Sequence, residues 1–217
     1  MGYSDYTTAI AGAYPQAGYG LARKIVEVAS RVGAHPYDLA NLIHFESNFS
    51  PSVRNKLSGA TGLIQFTKTT ATGLGTSTDA LAQMSAEDQM AWVERYLAKY
   101  KGKVGSVHAL SMSVFYPKAM SWAPEAEFPA SVQIVNPGIK TVSDYVAFMM
   151  RGRKLPCSTE ITAAPTATVV LSAATSAAKA PIWIWPATML GVCLGLLGMR
   201  VLVLMRRKKR RPVSSKA

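Results

Sequence analysis

One apolar block near the end of the chain restricts what it can fold into more than any other feature. Ile182–Met205 reads IWIWPATMLGVCLGLLGMRVLVLM, with no charged residue from Ile182 to Met199 and Arg200 as the only charge before a basic run. Crossing a bilayer core of roughly 30 Å takes about 20 apolar residues in a helix. Trp183 and Trp185 stand at one end of the block, where indoles favour the membrane–water interface. Arg206, Arg207, Lys208, Lys209, Arg210 and Arg211 follow the other end, and Arg200 is close enough to that end to snorkel. A buried core helix is the competing reading. Length and flanks favour a C-terminal single transmembrane helix.

The charge distribution fits that expectation. The net charge is +12, but residues 1–155 carry only +4 and residues 156–217 carry +8. The basicity therefore belongs to a short tail next to the apolar block. Charge alone does not separate anionic lipid headgroups from nucleic acid as its contact, and nothing else in the chain supports a nucleic-acid role. The positive-inside rule keeps the tail cytoplasmic and places residues 1–180 on the far side. The start, MGYSDYTTAIAGAYPQAGYG, has neither the basic nor the long apolar region of a signal peptide. It also lacks the Ser or Thr at position six that N-myristoylation needs.

Cysteine and histidine usage excludes two classes. Cys157 and Cys193 cannot build a disulfide framework. His35, His44 and His108 have no metal-ligand spacing. No metal and no cofactor are expected.

Composition divides the chain into a Gly/Ala/Tyr-rich lead-in with little periodicity (1–20), a compact domain (21–154), an Ala/Thr/Ser-rich linker (155–181), the apolar span (182–205) and the basic tail (206–217). Within the compact part, Leu21, Ile25, Val28, Ala29 and Val32 follow helix spacing, with Gly33 placed to end the helix. A second helix opens at Pro36–Asp38 and runs to about Glu46. A third starts at Ser85 with Asp88 completing a capping-box-like pair, and further helices are expected near Ser106–Phe115 and Val142–Met150. Gly59–Phe66, short and glycine-punctuated, reads as a turn or short β-ribbon. The fold expected is mostly α.

Glu46 is the residue with chemical promise. It ends the apolar helical run LANLIHFES, and a partly desolvated carboxyl has a raised pKa. An acid kept protonated near neutral pH can donate its proton to a leaving oxygen. A helix-terminal glutamate facing water is the plainer alternative, and the carboxyl alone does not decide between them.

The surrounding string does. Residues 45–66 read FESNFSPSVRNKLSGATGLIQF. This resembles the catalytic core of the soluble lytic transglycosylases, which share the goose-type lysozyme fold: E-S-x-F-x-P-x-A, a spacer, then G-A-x-G-L-M-Q. Glu46, Ser47, Phe49, Pro51, Gly59, Ala60, Gly62, Leu63 and Gln65 fall in register, while Val53 and Ile64 are mild apolar exchanges. Farther on, IKTVSDYV (139–146) resembles the family's E-T-x-x-Y-V, with Lys140 where Glu is usual. The family's A-Y-N-x-G is replaced by SMSVFYPKAM (111–120), in which Tyr116 is either a displaced equivalent or a packed aromatic. A phage-type branch of the family is similar in that stretch.

The resemblance covers about residues 21–152 and implies a lysozyme-like catalytic domain. It implies cleavage of the β-1,4 bond between N-acetylmuramic acid and N-acetylglucosamine in peptidoglycan strands, leaving a 1,6-anhydro end. Ordinary glycosidases use two carboxylates, whereas Asp38 and Asp79, the nearest before and after Glu46 in sequence, are well separated from it. That fits the family's one-carboxylate mechanism, with Glu46 as acid and then base. By the same resemblance Ser47, Gly62, Gln65, Tyr116 and Tyr145 bind substrate or orient the acid. A hydrolytic muramidase on the same fold and a non-catalytic glycan-binding or structural membrane protein are the alternatives. The setting expected is a virion internal membrane, with capsid-vertex proteins as candidate partners, and cell-wall opening during phage genome entry. The alternative is a bacterial inner membrane with the domain on the periplasmic side.

Overall fold

The structure, a computed structural model, describes residues 2–163. Its helices are α1 Tyr3–Ala13, α2 Gly18–Val32, α3 Pro36–Ser47, α4 Lys68–Leu74, α5 Thr78–Ala82, α6 Ala86–Leu97, α7 Val107–Phe115, α8 Ala130–Val135, α9 Val142–Met149 and α10 Ser158–Ala163. Short 3₁₀ turns follow α1, α6, α7 and α9. Pairing between extended segments is confined, among the described residues, to isolated bridges such as Arg54–Thr61 and Thr61–Phe66. The mostly-α expectation holds.

Local chemistry explains where the main helices begin and end. Helix α2 buries Leu21, Ile25, Val28, Ala29 and Val32 and stops at Gly33, whose φ of 80° is a left-handed C-cap. Pro36 opens α3 at a position where its missing N–H costs nothing. Ser85 caps α6 by accepting from the Asp88 amide at 3.1 Å. Helix α2 packs against α1, α3 and α6. Helices α3 and α7 also pack together, and α7 in turn meets α9. The acid-bearing end of α3 and the side of α9 that carries Tyr145 are thereby brought face to face.

The expectation of a C-terminal single transmembrane helix is corrected. Among the described residues no helix is long and apolar enough to cross a membrane. The longest of them, α2, has 15 residues and carries Arg23, Lys24, Glu27 and Arg31, whereas a span takes about 20 apolar residues. Residues 164–217, which include the apolar block 182–205 and the basic tail, lie outside the described residues. The single-pass localisation, in a virion internal membrane or a bacterial inner membrane, is corrected with it, and so is the lipid bilayer as a partner.

Both flanks of the compact part hold more structure than their composition announces. The lead-in holds α1 and the 3₁₀ turn after it, and Thr7, Ile10 and Tyr14 are buried on one stripe. At the other flank Leu155 and Cys157 are buried, and the backbone is tied to the early helices. The Asn41 amide donates to Leu155 O at 3.1 Å, the Tyr14 hydroxyl donates to Asn41 Oδ1 at 2.6 Å, and it accepts from the Lys154 amide at 2.8 Å. Asp38 accepts from Ser158 N at 3.0 Å and from Ser158 Oγ at 2.6 Å. Burial raises the Asp38 carboxyl above its ordinary range, partly offset by those two bonds. Asp38 is thus a structural tie on the buried side of α3 and no partner for Glu46.

Candidate active site

The site is built on the last turn of α3. Glu46 is half-buried there, and desolvation pushes its carboxyl from an ordinary 4.5 up to about 8. The one opposing influence is the phenol of Tyr145, which donates to Glu46 Oε1 at 3.4 Å and favours the ionised form. No other carboxylate or cation among the described residues shifts it. The result is an isolated acid that holds its proton at neutral pH.

Tyr145 is held from several directions. Thr141 caps α9 with a reciprocal box: its hydroxyl accepts from the Asp144 amide at 3.2 Å, and Asp144 Oδ2 accepts from the Thr141 amide at 2.8 Å. Backbone amides of Thr141 and Lys140 hold the Asp144 carboxylate below its ordinary pKa. That cap fixes where α9 starts, and Tyr145 lies one turn later. The Phe115 ring stacks on Tyr145 at 3.8 Å between centroids and 13° between planes. Phe45 approaches edge-on at 6.2 Å.

Behind the acid the chain reverses sharply. Asn48, Phe49 and Gln65 are the non-glycine residues with positive φ among the described residues, at 50°, 64° and 51°, and all follow Glu46 within one stretch. A bulky residue such as phenylalanine pays of order 1–3 kcal/mol to sit there. The buried Phe49 ring, lying on Tyr14 at 5.1 Å and stacked on His44 at 5.8 Å, holds it in place. His44 is packed in this cluster, with burial lowering its pKa.

The second block folds as a tight turn, the candidate floor of the site. Thr61 and Phe66 exchange amide–carbonyl bonds at 3.0 and 2.9 Å, and the Gln65 amide donates to Gly62 O at 3.0 Å. Gly62 has φ of 84°, and a methyl group there would lie 2.2 Å from Gln89 Oε1, so only glycine fits. Gln65 Nε2 donates to Gly62 O at 3.0 Å, leaving its side chain half-buried along the turn.

The remaining expected residues divide. Ser47 is 2% exposed, with its hydroxyl within 3.1 Å of both Ile43 O and Leu63 O, so it joins α3 to the turn. Tyr116 lies at the end of α7, half-buried, edge-on to Trp122 and to Phe128 at 5.7 Å each. Phe115 and Gln89 are residues the sequence did not single out. The substituted 111–120 block could have drawn attention to Phe115, whereas nothing local marks Gln89. A basic depression lined by Arg151, Arg153, Lys154 and Glu160 lies apart and includes none of these residues. No group of His, Cys, Asp and Glu among the described residues is arranged to hold a metal ion.

With this geometry in view, comparison with known families finds one likeness in the middle of the chain. Residues 24–110 match the transglycosylase SLT domain. Members of that family are peptidoglycan lytic transglycosylases, so the match supports an enzyme acting on peptidoglycan glycan strands. The SLT match spans α3, the reversed turn and the floor, and it ends within α7. Phe115 and Tyr145 lie beyond it. No curated protein and no solved structure matches the chain.

Proposed function

We propose that this protein is a peptidoglycan lytic transglycosylase in which Glu46 serves as both acid and base. The observation that carries the reading is the carboxyl pushed up to about 8, with the Tyr145 phenol on Oε1 and no second carboxylate acting on it. A protonated Glu46 donates its proton to the bridging oxygen as the bond from the muramic C1 breaks. The substrate's own N-acetyl oxygen bonds to C1 in its place. The Glu46 carboxylate then takes the proton of the C6 hydroxyl, whose oxygen displaces the N-acetyl oxygen and closes the 1,6-anhydro ring. The proton is returned to Glu46 and no water is consumed.

In this mechanism Tyr145 fixes the carboxyl's orientation, while Gly62 and Gln65 shape the floor. Tyr116, on its aromatic wall, faces the sugars. Ser47 serves as a brace, because its hydroxyl is engaged with two backbone carbonyls and is shielded from solvent. The isolated carboxyl favours this over a hydrolytic muramidase, since activating a water across the bond ordinarily employs a second carboxylate. The biological setting we propose is local cell-wall opening, as in phage genome entry, on the likeness of the 111–120 block to phage-type members.

The test is digestion of purified peptidoglycan by wild type and Glu46→Gln, with products resolved by mass spectrometry. Anhydro ends that vanish in the variant are expected. Reducing ends would assign a hydrolase, and equal clearance by the variant would remove Glu46 from the chemistry.

A further inference from the structure

Gln89 has 0% exposure, and a buried polar side chain must satisfy its hydrogen bonds or cost stability. It makes three, all with backbone and each from a separate segment. Its Oε1 accepts from the Leu63 amide at 2.7 Å. Its Nε2 donates to Pro51 O at 2.9 Å and to Leu81 O at 2.8 Å. Pro51 belongs to the reversed turn after Glu46, Leu63 to the floor, and Leu81 to α5. A single amide standing on α6 therefore joins both blocks of the site to the scaffold.

The Leu63 peptide is gripped from its other side as well. The carbonyl of Leu63 accepts from Ser47 Oγ at 3.1 Å, and Ser47 is the residue directly after Glu46. The connection runs Gln89 to the Leu63 peptide, to Ser47, to the last turn of α3. Gly62 is pressed against Gln89 by the same contact, with no room for a Cβ.

We propose that Gln89 is a positioning residue: its carboxamide clamps the Leu63 peptide and the Pro51 turn, and so sets where the Glu46 carboxyl stands relative to the floor. This rests on Glu46 being the acid. An error of about 1 Å in a catalytic group can cost on the order of 100-fold in rate. Gln89→Met keeps the length and apolar volume and removes all three bonds.

The experiment compares wild type, Gln89→Met, the shorter Gln89→Asn, and Val26→Ala. Val26 is 1% exposed on α2, so its truncation destabilises the core without touching the site. Below the unfolding range of every variant, both Gln89 variants are expected to lose kcat by at least ~10-fold, with KM held within about threefold. Val26→Ala is expected to keep kcat despite its lowered Tm. In the same proteins, carbon NMR of the Glu46 carboxyl is expected to show a titration displaced from wild type only in the Gln89 variants. Amide exchange at Leu63 is expected to accelerate at least ~10-fold in them, since an unbonded amide opens more readily.

Gln89 variants with unchanged kcat and an unmoved Glu46 titration would overturn the proposal. So would a Leu63 amide in wild type that exchanges as fast as an exposed one, a measurement that stands even if neither variant folds. A wild type inactive on peptidoglycan would instead overturn the proposed function, and the titration and exchange would still decide Gln89.

Discussion

Replacing Glu46 by glutamine should make the protein more stable at alkaline pH and less pH-sensitive throughout. In the unfolded chain the carboxyl titrates near 4.5, and in the folded protein it is pushed up to about 8. Between those values the folded state holds a proton that the unfolded state has released, so unfolding free energy falls as pH rises. The stabilising contribution is complete below 4.5 and is lost as pH passes about 8. At about 1.4 kcal/mol per pH unit the gap sets a ceiling of about 5 kcal/mol. Glu46 keeps an edge to solvent, so about 2–3 kcal/mol is the working expectation once screening is allowed for. The glutamine amide is neutral at every pH and can accept the Tyr145 hydrogen bond as the protonated acid does. Denaturant titrations at pH 5 and pH 9 give four unfolding free energies. Wild type should lose about 2–3 kcal/mol more than Glu46→Gln between the two pH values. The raised carboxyl of Asp38 contributes to both proteins and cancels in the difference. Parallel curves would show that Glu46 is not desolvated in the fold, and the argument for it as an acid would fall.

Four further outcomes follow from the same structure. Tyr145→Phe removes the phenol that favours ionised Glu46, so the alkaline limb of kcat/KM should move upward, with kcat reduced; a limb that stays or moves down refutes the assignment. Phe115→Leu should mimic Tyr145→Phe in part and add nothing in the double variant, because it acts through Tyr145; additive losses would show an independent role. Gly62→Ala combines backbone strain with a collision on Gln89 and should cost roughly 2–4 kcal/mol by calorimetry, so a loss under about 1 kcal/mol would mean that the floor yields easily. Tyr14→Phe should cost about 1–2 kcal/mol and, with Cys193→Ser in place, speed the reaction of Cys157 with a thiol reagent; unchanged reactivity would show that Tyr14 does not secure the 154–158 segment.

The core helices were legible because each has a local signature. The stripe ending at Gly33, the proline opening α3 and the Ser85–Asp88 pair are all readable within a dozen residues. So was Glu46, once the spacing of its two neighbouring blocks was taken together. Helix α1 was missed because its buried stripe is only Thr7, Ile10 and Tyr14, set among glycine and alanine that carry no periodic signal. The segment 155–158 looked like tether because its composition is bland; what holds it is hydrogen bonding from Asp38, Asn41 and Tyr14, supplied from more than 110 positions away. Ser47 stood in the expected register but turned inward, since a serine near a helix end has backbone carbonyls closer to hand than solvent. Gln89 and Phe115 act on groups far from them in sequence, and no local pattern distinguishes them from ordinary helix residues. The apolar block is a different case: it lies outside the described residues, and no described helix supplies the span expected of it.

The hydrogen bond from Tyr145 to Glu46 links positions 99 apart, and the bonds from Lys154 and Ser158 reach back 140 and 120. Contacts this distant are made late in folding, because closing long loops costs entropy before anything is gained. A growing chain that has exposed α1 through α6 owns Glu46, the reversed turn and the 59–66 turn, yet lacks the phenol that bonds the Glu46 carboxyl and the segment that steadies α3. On the proposed mechanism, glycan-cutting competence is therefore deferred until α9 and the residues after it have been made and docked. By the same mechanism, a fragment ending in the middle of the message would be incapable of cutting the wall.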